Sequence, residues 1–186
     1  MRRSRPEYKN YVEWLNIPQH EDDPIAILAR SGGRKVTDQL EVFPSPAPDE
    51  HGFYHIHFFA HGLRHLSPCS SERINRLKSG ELLWLSHEFQ NPYDPNALTL
   101  NTEYHHIVGY CPRYLVHDTL EILRHHPKLV HVHVERVNPS PTPLQFRLLC
   151  NMTAQWHEGF RPFSSSNYQP IVTDNLSTYT ATTTEP

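Results

Sequence analysis

The sequence predicts a mainly β domain with two helices, preceded by a helical extension and followed by a polar tail. Three observations carry that expectation. Apolar and polar residues alternate in several short runs, the period of a strand with one buried face. The clearest helical stripe of the chain opens at Pro112. Prolines, 17 in 186 residues, punctuate the chain at short intervals, as expected of short elements joined by turns.

Composition bounds the reading further. Hydrophobic residues make up 37% of the chain, below the ~45–50% usual for globular domains, so one domain of roughly 100–150 residues with irregular flanks is expected. No apolar run approaches the ~20 residues of a membrane-spanning helix, and no membrane partner is expected. Arg2, Arg3 and Arg5 are followed by polar sequence, unlike a secretory leader. Cys69, Cys111 and Cys150 form no Cys-x-x-Cys pair, which excludes a zinc ribbon or redox motif and suits a reducing, cytoplasmic setting. The net charge of −3 argues against a non-specific polyanion binder, although local basic spots survive a weak average.

Residues 1–50 read as an N-terminal extension. Ser4 and Pro6 open a helix in which Tyr8, Tyr11, Val12 and Leu15 share one face, ending before Pro18. A second short helix covers Pro24 to Ala29 and stops at Gly32-Gly33, and the proline-rich stretch after Phe43 is a connector.

Residues 51–160 read as the barrel. From Phe53 the period is two, with Ile56, Phe58 and Ala60 on one face and His55, His57 and His61 on the other. Ser70 or Ser71 caps a short helix carrying Ile74 and Leu77, ended by Gly80. Glu81 to Phe89 is a strand with Leu83, Leu85 and Phe89 on one side. Asn91-Pro-Tyr-Asp-Pro-Asn is a turn, and Ala97 to Leu100 and Ile107 to Tyr110 are strands. The Pro112 helix presents Val116, Leu120 and Leu123. In Leu129 to Val137, Val130, Val132 and Val134 face inward, with His131, His133 and Glu135 outward. Leu144, Phe146, Leu148 and Cys150 form the last inward row. Residues 161–186 are Ser/Thr-rich and expected to be disordered. This order suggests a small OB-like or SH3-like barrel. Such barrels commonly bind single-stranded nucleic acid on an open face, an analogy of fold only.

Four segments carry a more specific resemblance. Gly62-Leu63-Arg64, Leu77-x-x-Gly80-Glu81-x-x-x-Leu85, Asn91-Pro92-Tyr93-Asp94-Pro95-Asn96-Ala97 and Val108-Gly109-Tyr110-x-Pro112-Arg113 together resemble a HIRAN domain, over about Phe53 to Trp156. The seven-residue turn, correctly spaced before Gly-Tyr-x-Pro-Arg, is the specific part. The family is similar to OB-fold modules, and members fused to chromatin-remodelling or fork-reversal ATPases bind the 3′ end of single-stranded DNA. The resemblance implies the same ligand here, in DNA repair or processing, at Arg64, His65, Tyr93, Asp94, Tyr110, Arg113 and Phe146. It implies no ATPase and no cofactor, because no Gly-x-x-x-x-Gly-Lys-Ser/Thr loop is present. A DNA-processing enzyme would then be supplied in trans.

The residue chemistry agrees. Tyr93 on an exposed turn can stack a terminal base for ~1–3 kcal/mol. Asp94 would repel phosphate yet accept a hydrogen bond from a free 3′-hydroxyl. Arg64, Arg113 and the amides opening the Pro112 helix suit phosphate, and Tyr110 suits sugar or phosphate. The structural alternative is that Asn91 and Asp94 only hold the turn, Tyr93 packs on the barrel rim and Arg113 pairs with Asp118. The sequence also departs from the family's DNA binders. His65 and Leu66 stand where two tyrosines are usual. The last hairpin has Ser140 and Pro141 where an aromatic is usual, with Phe146 the nearest ring. The lysine-rich helix start is reduced to Arg113.

Histidine is abundant, with 15 residues. His55, His57, His131 and His133 would reach one metal ion if their strands were adjacent and in register; the alternative is a polar face, solvated or covered by the first fifty residues. No Ser-His-Asp or Cys-His arrangement and no carboxylate pair suggests catalysis. The expected function is therefore non-catalytic binding of DNA ends. A protein-interaction adaptor is the second reading, and a zinc-dependent hydrolase the third.

Overall fold

The computed structural model describes residues 4–18, 23–33 and 41–169. Four helices, α1 (Tyr8–Trp14), α2 (Pro24–Ser31), α3 (Pro68–Asn75) and α4 (Arg113–His125), accompany six strands. These are β1 (Phe53–Phe59), β2 (Leu82–His87), β3 (Leu98–Asn101), β4 (Ile107–Tyr110), β5 (His131–Val137) and β6 (Leu148–Gln155). From β1 onward the order is strand, helix, three strands, helix, two strands, as the periodicity predicts.

All pairings are antiparallel, and the sheet runs β1-β6-β5-β2-β3-β4. It curls until its two edge strands touch. Just past β1, His61 exchanges both backbone hydrogen bonds with Tyr110 at the end of β4, at 2.9 and 3.0 Å. Two glycines permit this contact. A Cβ on Gly109 would lie 2.8 Å from Ala60 Cβ, and one on Gly62 (φ 75°) would lie 2.6 Å from Tyr110 Cδ2. Both separations are too short for any side chain, so the closure depends on bare backbone.

The core fills the concave side. Ile56 and Phe58 of β1, Val132 and Val134 of β5, and Cys150, Met152 and Ala154 of β6 are buried there, with Ile74 and Leu77 packed from the α3 side. The stripe of α4 differs from the expected one. Leu115, Val116, Thr119 and Ile122 are buried, whereas Leu120 and Leu123 are half-buried, because the helix follows directly on buried Cys111 and is rolled toward Leu115. Other differences are local. Ser67, not Ser70 or Ser71, caps α3 by accepting the Ser70 N–H at 3.2 Å, since Pro68 starts the helix earlier. Helix α1 has no side-chain cap from Ser4; its N-cap is Glu7. Leu144–Phe146 form a 3-10 turn after Pro143, Leu144 is 49% exposed, and the inward row starts only at Leu148. Phe89 lies beyond the end of β2.

The opposite face of the sheet carries a second cluster. Phe59 and Leu149 are ladder partners whose side chains bury Leu15 and Ile17 of the N-terminal extension, with Tyr11, Ile27 and Phe146 at its margin. Asn138 Nδ2 donates to Trp14 O at 2.9 Å, and Arg136 Nη2 reaches Glu13 Oε1 at 2.9 Å. Residues after Trp156, expected to be disordered from 161, pack on the barrel as far as Tyr168: Phe160 is buried, Phe163 N–H donates to Asp118, and Tyr168 Oη–H donates to Tyr114 O. Expectations for Arg2, Arg3 and the tail from residue 170 lie outside the described residues.

Candidate nucleic-acid interface

One end of the barrel gathers three of the four segments singled out by the sequence, while Gly80-Glu81 lies at the other end of β2 beside Val134. His87 at the end of β2 opposes Leu98 at the start of β3. Leu98 O in turn accepts the Cys111 N–H at 2.9 Å, and Tyr110 bridges to His61. The exit of β1, the turn between β2 and β3, and the start of α4 therefore share this end.

Gly62 opens a short 3-10 turn, Leu63–His65, whose Leu63 is buried while Arg64 and His65 are exposed. Arg64 Nε donates to His65 Nε2 at 2.9 Å. The Tyr110 ring packs on the bare face of Gly62. Its phenol is shifted upward by burial and by the neighbouring Glu88 carboxylate, to which it is hydrogen-bonded.

The turn from residue 88 to 97 is held by its own side chains. Asn91 Oδ1 accepts the N–H groups of Tyr93 (2.9 Å) and Asp94 (3.0 Å), and Asp94 Oδ1 accepts that of Asn96 (3.0 Å). Asn91 Nδ2 donates to Glu88 Oε2 at 2.6 Å. Glu88 thus links the turn to Tyr110, a role the sequence hid because Glu88 read as a strand residue. Asn91 and Asp94 do hold the turn. Tyr93 does not pack on the rim: it is 88% exposed.

Asp94 has a second partner. Arg113 Nε lies 3.3 Å from Asp94 Oδ2, and most of the arginine side chain remains in solvent. The expected alternative pairing with Asp118 is absent, because Asp118 is buried beneath Phe163. Helix α4 has Pro112 at its N-cap, no side-chain cap and no acidic residue in its first turn, which leaves its N-terminal dipole uncompensated by a side chain.

Phe146 does not join this end. Its ring packs edge-on against Tyr11 (5.7 Å) and Phe59 (5.3 Å) in the outer cluster. The histidine rows do not converge either. Strand β6 lies between β1 and β5, so His55 and His131 both flank Thr153, and His57 and His133 both flank Asn151. The two rows are two ladder spacings apart, about 10 Å. His55 Nε2 instead lies 2.9 Å from Asp49 Oδ2, and His57 Nε2 lies 3.8 Å from Glu135 Oε2. Among the described residues, no group of three or more His, Cys, Asp or Glu side chains is arranged to hold a metal ion. Among them, too, no helix is long and apolar enough to cross a membrane.

The family described as HIRAN domain matches residues 53–157. The crystal structure of the HIRAN domain of human HLTF is 19% identical, with 59% of this chain and 84% of that one covered, at a TM-score of 0.42. A Lactobacillus plantarum protein is 20% identical, with 57% and 100% covered, at a TM-score of 0.43. No curated protein matches the chain.

Proposed function

Because the chain belongs to the HIRAN domain family, known in general as a DNA-binding module, we propose that its barrel end binds single-stranded DNA and reads the 3′-hydroxyl. The observation that carries this reading is the trio at the turn: an exposed Tyr93, an adjoining Asp94, and Arg113 held against that carboxylate. Tyr93 offers a planar face to the terminal base. Asp94 keeps acceptor capacity beyond its bonds to Asn96 and Arg113, since an ionised carboxylate has about four lone-pair sites. A hydroxyl donates into that capacity, whereas a terminal phosphate meets like charge. Arg64, Arg113 and the α4 amides meet backbone phosphates, and Tyr110, tethered to Glu88, stands between them. The protein acts without catalysis of its own, in repair or processing, beside an enzyme supplied in trans.

Glu88 and Asp94 in one turn favour a second reading, an adaptor that binds protein. Fluorescence anisotropy with short single strands separates the two. The DNA reading expects a free 3′-hydroxyl strand to bind more tightly than its 3′-phosphate counterpart, and Tyr93→Ala to weaken both by ~1–3 kcal/mol. Equal binding of both ends removes end recognition. Absence of binding to either in low salt leaves the adaptor.

A further inference from the structure

We propose that Phe89 is a second base-stacking residue of this interface, an assignment that rests on the DNA reading above. The inward row of β2 is Leu83, Leu85 and His87, and Phe89 follows two residues later in the turn beyond the strand. Leu83 is 2% exposed and Leu85 half-buried, but Phe89 is 80% exposed. The row therefore runs out of the core at the end of the barrel where His87 opposes Leu98, the same end that carries Tyr93, Tyr110 and Arg113.

The exposed ring is held in place. The His87 imidazole lies 4.2 Å from it, centre to centre, at a tilt of 40°. His87 Nε2 in turn lies 2.7 Å from Pro95 O on the far side of the same turn, and since a carbonyl only accepts, this nitrogen carries the proton. The backbone is pinned beside Phe89 by Glu88 N–H to Ala97 O (2.9 Å) and Asn91 N–H to Glu88 O (3.0 Å). A ring presented on a fixed backbone loses little freedom when a flat partner settles on it.

The occupant is a nucleobase of the strand whose end Tyr93 takes. Three residues, Gln90 to Pro92, separate Phe89 from Tyr93, which keeps their Cα atoms within ~14 Å even for a fully extended chain, and cationic Arg113 reaches into the same turn. Phe146, the ring the sequence offers for a second stack, is committed to Tyr11 and Phe59. Phe89 supplies the aromatic surface that Phe146 does not.

The test is anisotropy titration of a short 3′-hydroxyl single strand against wild type, Phe89→Ala, Phe89→Leu, Phe89→Trp and Tyr93→Ala, with melting curves confirming that each variant folds. Stacking expects Phe89→Ala and Phe89→Leu to weaken binding about 5- to 150-fold, and Phe89→Trp to stay near wild type. Strands with single abasic sites should show one internal position whose loss weakens wild type but not Phe89→Ala. If Phe89→Ala or Phe89→Leu binds like wild type while Tyr93→Ala is weakened, the Phe89 assignment fails and the DNA reading stands. If wild type binds no strand in low salt, the DNA reading itself fails.

Discussion

Arg113 Nε lies 3.3 Å from Asp94 Oδ2, tying the first residue of α4 to the turn between β2 and β3. The arginine side chain is 78% exposed, so as a stabilising ion pair the contact is worth little. Its consequence is electrostatic: the acid that would repel a DNA strand sits under its own counter-charge.

Asp94→Ala should therefore remove the preference for a 3′-hydroxyl over a 3′-phosphate, worth ~1.5–3 kcal/mol, and tighten binding of the phosphorylated end by freeing Arg113. Arg113→Ala should weaken both ends and lower the slope of log affinity against log salt by about 1. Titrations of both oligonucleotides over a range of salt measure this; an unchanged ratio of affinities in Asp94→Ala refutes it.

Closure of the barrel should be sensitive to a single methyl group. Gly62→Ala places a Cβ against the Tyr110 ring at φ 75°, and Gly109→Ala places one against Ala60. Each should destabilise by more than ~1 kcal/mol, since neither the conformation nor the space suits alanine. Urea unfolding reads the loss, and Gly80→Ala, also at positive φ but with open space around it, separates backbone strain from crowding.

On α4 the buried side chain should outweigh its half-buried neighbour. Ile122 is fully buried, whereas Leu120 sits at the margin of the core. Ile122→Ala should cost ~2–5 kcal/mol in chemical denaturation and Leu120→Ala clearly less. Equal losses would mean that the helix is rolled toward the stripe read from sequence.

Asp118 should make stability depend on pH. It is 2% exposed, and burial pushes its carboxyl from 3.8 up to about 6, against the opposing bond from Phe163 N–H. The folded state then keeps a proton that the unfolded chain releases. This contribution is complete below about pH 4 and is lost as pH rises to about 6, a difference of about 3 kcal/mol. Asp118→Asn should accordingly gain melting temperature over wild type at pH 7 relative to pH 4; parallel profiles would show that Asp118 is ionised at no cost.

The order of elements, the inward rows around Ile56/Phe58 and Val132/Val134, and the Asn91–Asp94 turn were readable in the sequence, because each rests on contacts within a few residues or on strand period. Tertiary structure alone decided which strands are neighbours. Insertion of β6 between β1 and β5 separates His55 and His57 from His131 and His133. Packing of the extension against Phe59 and Leu149 draws Phe146 away from the candidate interface. The bridge from His61 to Tyr110 brings Gly62 and Arg64 to that end. Arg113 faced two acids at plausible spacing, and burial of Asp118 beneath Phe163 left Asp94 as its partner. Strand pairing and burial join residues far apart in the chain, and a periodic pattern specifies which face of a strand is apolar but not which strand lies beside it.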